Sequence, residues 1–214
     1  MRRARLSFPN SYHHVMNKGL NGEVVFLTTE LKKKFLELIN KNKRKYGIKI
    51  IAYCIMKNHF HLVLKDEKGK LSQFMKKVEG DFGCFYRQNT GGKGYVFITR
   101  FKSTLIQEDV HLKTSLIYVL LNPVRANYTK YVDDYQWSSY NEYFKNSTER
   151  VTDMDAADTV FSDKLDLNEY IKNFKISKIS VNHTRFGDML SEDAYIKIAE
   201  NRSDRRKNKK DEPF

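Results

Sequence analysis

The sequence predicts an α+β fold of the ferredoxin-like kind, an α/β sandwich in which an antiparallel sheet carries helices packed on one face, plus a short C-terminal extension. Three observations carry that expectation. Stretches of strand length alternate with stretches of helical period in the order β-α-β-β-α-β-α up to Asn122. Two of the strands flank a break of only two residues, Lys57-Asn58, and form a central pair between two β-α-β halves. Apolar residues make up 40% of the chain and aromatics 13%, enough to fill a core and to exclude a wholly disordered polypeptide.

Each element follows from local chemistry. Tyr12 to Lys18 alternates as a strand and ends in a Gly-Leu-Asn-Gly turn. Thr28 or Thr29 caps a helix reaching Tyr46, with Leu31, Phe35, Leu38 and Ile39 on its apolar stripe and Gly47 as its stop. Ile48 to Met56 is a nearly continuous apolar strand, and His59 to Lys65 is its successor. Leu71 to about Asn89 places Leu71, Phe74, Met75, Val78, Phe82 and Phe85 on one helical face, before a basic Gly-rich loop from Thr90 to Gly94. Phe101 to Gln107 reads as a further strand. Asp109 opens a helix to Asn122, where Pro123 discourages continuation.

Beyond Tyr140 the pattern weakens. The reading is a domain over residues 1–144 and a partly helical extension over 145–214, with short helices at 165–175 and 191–201 and a charged tail from Asn201 to Asp211. Trp137-Ser138-Ser139-Tyr140 reads as a packing element that closes the domain.

Charge names a class of partner. Of a formal net charge of +13, residues 1–150 hold +14 and residues 151–214 hold −1. Such a field attracts polyanions, nucleic acid or an anionic surface, by releasing counterions. No apolar run is long enough to span a bilayer, and no apolar signal-peptide core follows the basic opening residues. Two cysteines cannot build a disulfide scaffold, which points to a reducing, cytoplasmic setting.

Two patterns could carry chemistry. In His59-Phe60-His61, strand alternation turns both imidazoles to one face while Phe60, Leu62 and Leu64 face a core. The plain alternative is a pair of hydrogen-bonded histidines at a sheet surface; the sharper reading is a site for one divalent cation. On the helix after Asp109, Leu112, Leu116, Val119, Leu120 and Pro123 form one arc, and His111, Thr114, Ser115, Tyr118 and Asn122 form the other. Tyr118 therefore sits on the polar arc with Asn122 one turn later, where a packing tyrosine would not be expected. A phenol ionises near pH 10, so it is a poor nucleophile unless the phosphorus it attacks is made more electrophilic by a bound cation. A His-x-His cation site facing a helical tyrosine is a sufficient kit for cutting DNA through a phosphotyrosine, and Asn122 could add an oxygen ligand.

The segments YCIMKNHFHLVLK, LIYVLLNPVRANY and YQWSSY, with YHHVMNKGLNGEVVF and RFKSTLI, resemble the bacterial single-tyrosine HUH transposases, in particular the branch of REP-associated tyrosine transposases. The resemblance covers about residues 5–144. It implies that His59 and His61 bind the metal, that Tyr118 is the nucleophile and that Asn122 is a further metal ligand. It also implies Mg²⁺ or Mn²⁺ as cofactor with no nucleotide cofactor, and cleavage of single-stranded, hairpin-bearing DNA that leaves the 5′ end on the tyrosine and frees a 3′-OH. Monomer and homodimer are both compatible with it. Lys18, Arg100, Lys102 and Arg125 lie beside this chemistry in sequence as candidate DNA contacts, and Phe97 and Phe101 as candidate base-stacking rings. Two competing functions stand against it. One is a catalytically silent nucleic-acid-binding module on the same fold. The other is a Zn²⁺ hydrolase, which lacks a carboxylate near His59-Phe60-His61 to act as base.

Overall fold

A computed structural model describes residues 7–106, 109–145, 150–158, 160, 167–168, 171, 180–184 and 187–191. The elements of the first part are strand β1 (Ser11–Lys18), helix α1 (Thr29–Tyr46), strands β2 (Ile48–Ile55) and β3 (His59–Asp66), helix α2 (Leu71–Thr90), strand β4 (Lys102–Ile106) and helix α3 (Asp109–Arg125). They form a four-stranded sheet of order β2-β3-β1-β4, antiparallel at every pairing. The expected order and fold class hold.

Local signals explain the boundaries. The hydroxyl of Thr28 accepts from the Leu31 amide at 3.2 Å, capping α1, and Gly47 ends it at φ 67°. The buried Asp66 carboxylate at the end of β3 accepts from the amides of Lys70 and Leu71, which seats the start of α2. The last turn corrects an expectation. Pro123 lies inside α3, which runs on to Arg125 before Asn127, at φ 56°, turns the chain. A proline near a helix end removes only one late hydrogen bond, and the carbonyl of Pro123 itself accepts from the Tyr128 amide.

Strand alternation divides the sheet into two faces. Phe60, Leu62, Leu64 and Val15 join Phe35, Phe74, Phe82 and other apolar residues of α1 and α2 in one core. Phe97 and Phe101 belong to this core too, 8% and 4% exposed, so they are not base-stacking rings. The helices expected on one face are α1 and α2. Helix α3 contacts β2 and β3, and its Tyr118 meets His14 and His61, which alternate with that core's residues, so it covers the other face.

The chain forms two compact units, Met1–Asn173 and Phe174–Phe214. The first extends past the boundary at 144 read from the sequence, for a physical reason. Helix α4 (Tyr140–Phe144) carries the buried Glu142, whose carboxylate accepts from Tyr53 Oη, the Val151 and Thr152 amides and the Thr152 hydroxyl. Helix α5 (Met154–Asp158) follows, and Asp153 bonds the backbone of Ile50 in both directions. In the second unit β5 (Ser180–Thr184) pairs antiparallel with β6 (Gly187–Ser191), a hairpin that the polar local sequence did not suggest. The helix expected at 165–175 is helical where described, at 167–168 and 171; the helix expected at 191–201 and the charged tail lie outside the described residues, apart from Ser191 in β6. Cys54 is buried and Cys84 exposed, both free thiols, and no described helix is long and apolar enough to cross a membrane.

His13 is fully buried between the hydroxyls of Ser11 and Ser103, at 2.8 and 3.0 Å from its two ring nitrogens. Burial lowers its pKa to about 4, against a smaller opposing pull from Asp66. The unfolded chain therefore takes up this proton first as the pH falls. Stability present above pH 6.5 should be lost between there and about pH 4, by up to ~3 kcal/mol. Urea denaturation across that range should show a shallower pH slope for His13→Gln than for the native chain; parallel slopes would refute the assignment.

Candidate functional site

The face of the sheet turned to α3 carries three imidazoles. His61 on β3 is 2% exposed and lies in the register opposite Met16, two residues along β1 from His14. The rings of His14 and His61 stack at 5.1 Å with 19° between their planes, and His14 Nε2 lies 3.0 Å from His61 Nδ1. His59, half-buried at the start of β3, stands at right angles to His61 with centroids 5.0 Å apart. Its Nδ1 sits 2.7 Å from the side-chain oxygen of Asn58. A nitrogen facing that oxygen carries a proton, which makes Nε2 the nitrogen through which His59 can ligate.

Helix α3 brings Tyr118 to the same place. Its ring meets the edges of His61 at 5.7 Å and His14 at 5.9 Å, and the Arg125 guanidinium lies 4.5 Å from its centroid. Asn122, one turn on, donates Nδ2 to the Tyr118 carbonyl at 3.0 Å. Tyr118 and Asn122 are 5% and 7% exposed. Ser115, Tyr118 and Asn122 of the polar arc are thus buried like the apolar arc, and the Tyr118 ring faces histidines instead of solvent. The side chain of His111, on the same arc, lies outside the described residues.

Burial holds His61 neutral far below the usual imidazole range, reinforced by His14, His59 and Arg125. A neutral ring keeps a lone pair, which a metal ligand needs. Among the described residues no three His, Cys, Asp or Glu side chains group as an ion site. The imidazoles of His59 and His61 lie with centroids 5.0 Å apart, and Asn122 stands one turn beyond Tyr118 on α3; imidazole nitrogens and an amide oxygen are donor types that suit a borderline cation.

Of the expected DNA contacts, Arg125 stands in the site. Lys18 pairs with His59 across the β1–β3 ladder, and Lys102 pairs with Met16 across the β1–β4 ladder, so strand alternation puts both exposed lysines on the histidine face. Arg100 is exposed just before β4. Sequence reasoning passed over His14, reading it as an ordinary strand residue. The signal was its parity on β1, opposite that of Val15, but only the strand register brings it to His61.

Comparison with known proteins follows the same lines. The profile of a family described as "Transposase IS200 like" matches residues 8–119. A Haemophilus influenzae protein named as a REP-associated tyrosine transposase is 28% identical over 112 residues, 47% of this chain and 63% of that protein. The chain therefore spans under two thirds of this curated relative. A solved structure of a REP-associated tyrosine transposase bound to a REP hairpin shares the fold, with a TM-score of 0.62 over 90% of this chain and 99% of that one, at 15% identity.

His14→Phe keeps a ring but strips His61 Nδ1 of its buried partner, and should cost about 1–3 kcal/mol of stability. His59→Ala, at a half-buried position, should cost less. Chemical denaturation of both variants tests the ranking, and the reverse order would show that His61 does not depend on His14.

Proposed function

This chain belongs to the IS200-like transposase family, and from that premise we propose that it cuts and rejoins single-stranded DNA through a phosphotyrosine on Tyr118. The observation that carries the reading is the meeting of the Tyr118 ring with His61 at 5.7 Å, beside a second imidazole at right angles and beneath a guanidinium.

The roles follow from the chain's own atoms. His59 and His61, each through Nε2, and Asn122 through Oδ1 would hold a divalent cation. That ion, Mn²⁺ or Mg²⁺, polarises a phosphoryl oxygen and offsets charge at the transition state when bound. Imidazole donors favour Mn²⁺ of the two. The Tyr118 oxygen forms a bond to phosphorus as the bond from phosphorus to the 3′ oxygen breaks. The phenolic proton passes to solvent and the departing oxygen gains one, so the products are a 5′-phosphotyrosine and a 3′-OH. Reversal with another 3′-OH rejoins strands, with no nucleotide cofactor. Arg125 holds the ring and offers positive charge to the phosphate. His14 acts through His61: by accepting from Nδ1–H it fixes the tautomer that leaves Nε2 for the cation.

The substrate class rests on charge and on kinship. The +14 of residues 1–150 suits a polyanion, and the structural neighbour is bound to a REP hairpin; we extend a hairpin flanked by single strand to this chain. A cytoplasmic setting agrees with the two free thiols.

Incubation with hairpin-bearing single-stranded DNA and Mn²⁺ should yield a covalent adduct on denaturing gels. Tyr118→Phe should abolish it while DNA binding stays within about twofold. His61→Ala should lower cleavage by at least about a hundredfold, the scale of losing an electrostatic group at a reacting phosphate. Binding without an adduct would mark a silent module, and cutting without an adduct a hydrolase.

A further inference from the structure

The reaction above makes no use of a cavity of about 450 Å³ lined by Lys32, Lys57, Tyr128, Asp134, Gln136 and Trp137, with Asn127 and Tyr135 completing the wall. Its contents are unusual for a structural crevice. Lys32 is 9% exposed, yet among the described residues neither it nor Lys57 makes an ion pair. Instead the Lys32 ammonium lies 5.3 Å from the Trp137 ring centroid and that of Lys57 lies 5.1 Å from Tyr128. Burial, then repulsion from Lys57, lowers the Lys32 pKa. Two mutually repelling cations, one of them on a buried residue, lie against two aromatic rings, and the carboxylate in the wall, Asp134, forms an ion pair with neither. An unpaired buried charge costs stability unless something supplies the counter-charge.

We propose that this cavity is a nucleotide subsite for the DNA strand, with a backbone phosphate between Lys32 and Lys57 and a base among Trp137 and Tyr128. Ammonium point charges suit phosphate, and aromatic faces accept any base. Asp134 and Gln136 give the rim hydrogen-bonding groups for a base edge, the carboxylate as acceptor only, so it favours an amino or imino edge over a second phosphate. Chain connectivity links the subsite to the proposed cleavage centre: Lys57 precedes His59 by two residues, so their Cα atoms lie within about 7 Å, and Asn127 and Tyr128 lie at the turn that follows α3. The inference deepens the proposed function and rests on it for the identity of the strand.

Trp137 is the chain's one tryptophan, so its fluorescence reports on this cavity. The full chain, in chelator to prevent cleavage, is titrated with a short single-stranded oligodeoxynucleotide while its label's anisotropy and Trp137 emission are followed together. Emission should change with the same midpoint as anisotropy. Lys32→Met should weaken binding about tenfold, the scale of one stacked base, while its melting temperature stays level or rises because a desolvated charge is gone. Lys57→Gln, at an exposed position, should weaken binding in the same direction. Binding with unchanged Trp137 emission, or native affinity in both variants, overturns the subsite. Inorganic phosphate producing the same saturable change would reduce it to an adventitious ion only. The adduct assay separates this from the parent reading: an adduct with a silent Trp137 overturns the subsite alone, and a responding Trp137 without an adduct overturns the transposase chemistry alone.

Discussion

The 3.0 Å contact between His14 Nε2 and His61 Nδ1 is the interaction on which the rest of the site depends. A fully desolvated imidazole on a central strand is costly unless one nitrogen is satisfied inside the protein. His14 satisfies it from the neighbouring strand. The bond couples the protons of the two rings, and a proton on His61 Nδ1 leaves its Nε2 for a ligand. It also stacks the rings and builds the wall against which Tyr118 rests edge-on. A single cross-strand hydrogen bond therefore links the register of the sheet to the orientation of the tyrosine.

The sheet can support this only because its two faces are so unlike. On one, Phe60, Leu62 and Leu64 sit in an aromatic core with Phe26, Phe35 and Phe82, rigid enough to hold β3 without strain at the histidines. On the other, β3 presents His59 and His61 to a helix that is buried almost all round at its centre. A helix with both arcs covered would ordinarily be apolar throughout. Among its described side chains, the polar ones that α3 buries are Ser115, Asn122 and Tyr118, whose ring meets His14 and His61. Buried polarity is thus concentrated where chemistry is proposed.

Much of this was legible in one dimension. Period two placed His59 and His61 opposite Phe60, and period 3.6 separated Tyr118 and Asn122 from Leu116 and Leu120, because both depend only on neighbours in sequence. What sequence could not supply was anything set by register or by crossing elements. His14 needed the β1–β3 pairing. Phe97 and Phe101 looked available for stacking because their loop is polar and basic, yet they fill the core beneath it. Pro123 is a helix-ending signal in the sequence, yet α3 continues to Arg125, because a proline so near the C-terminus costs only one bond. The reach of the first unit past residue 144 hinges on Glu142, whose four donors are set by tertiary contacts.

The same tertiary contacts explain why the nucleotide cavity has a defined shape. β2 is an edge strand, and an uncovered edge invites pairing with other chains. Here the edge is closed by the segment around Trp137: the Ile55 amide donates to the Trp137 carbonyl, the Ser139 amide to the Tyr53 carbonyl, and the Tyr53 amide to Ser139 Oγ. Phenols finish the task, with Tyr135 Oη donating to the Ile55 carbonyl and Tyr143 Oη to that of Ile51, at the irregularity in the β2 ladder. Covering the edge thus locks residues 135–139 to β2 in fixed register. Lys57 follows the end of that same strand, so the backbone bonds that fix residues 135–139 also fix where its side chain begins. A device that prevents aggregation also preorganises the cavity.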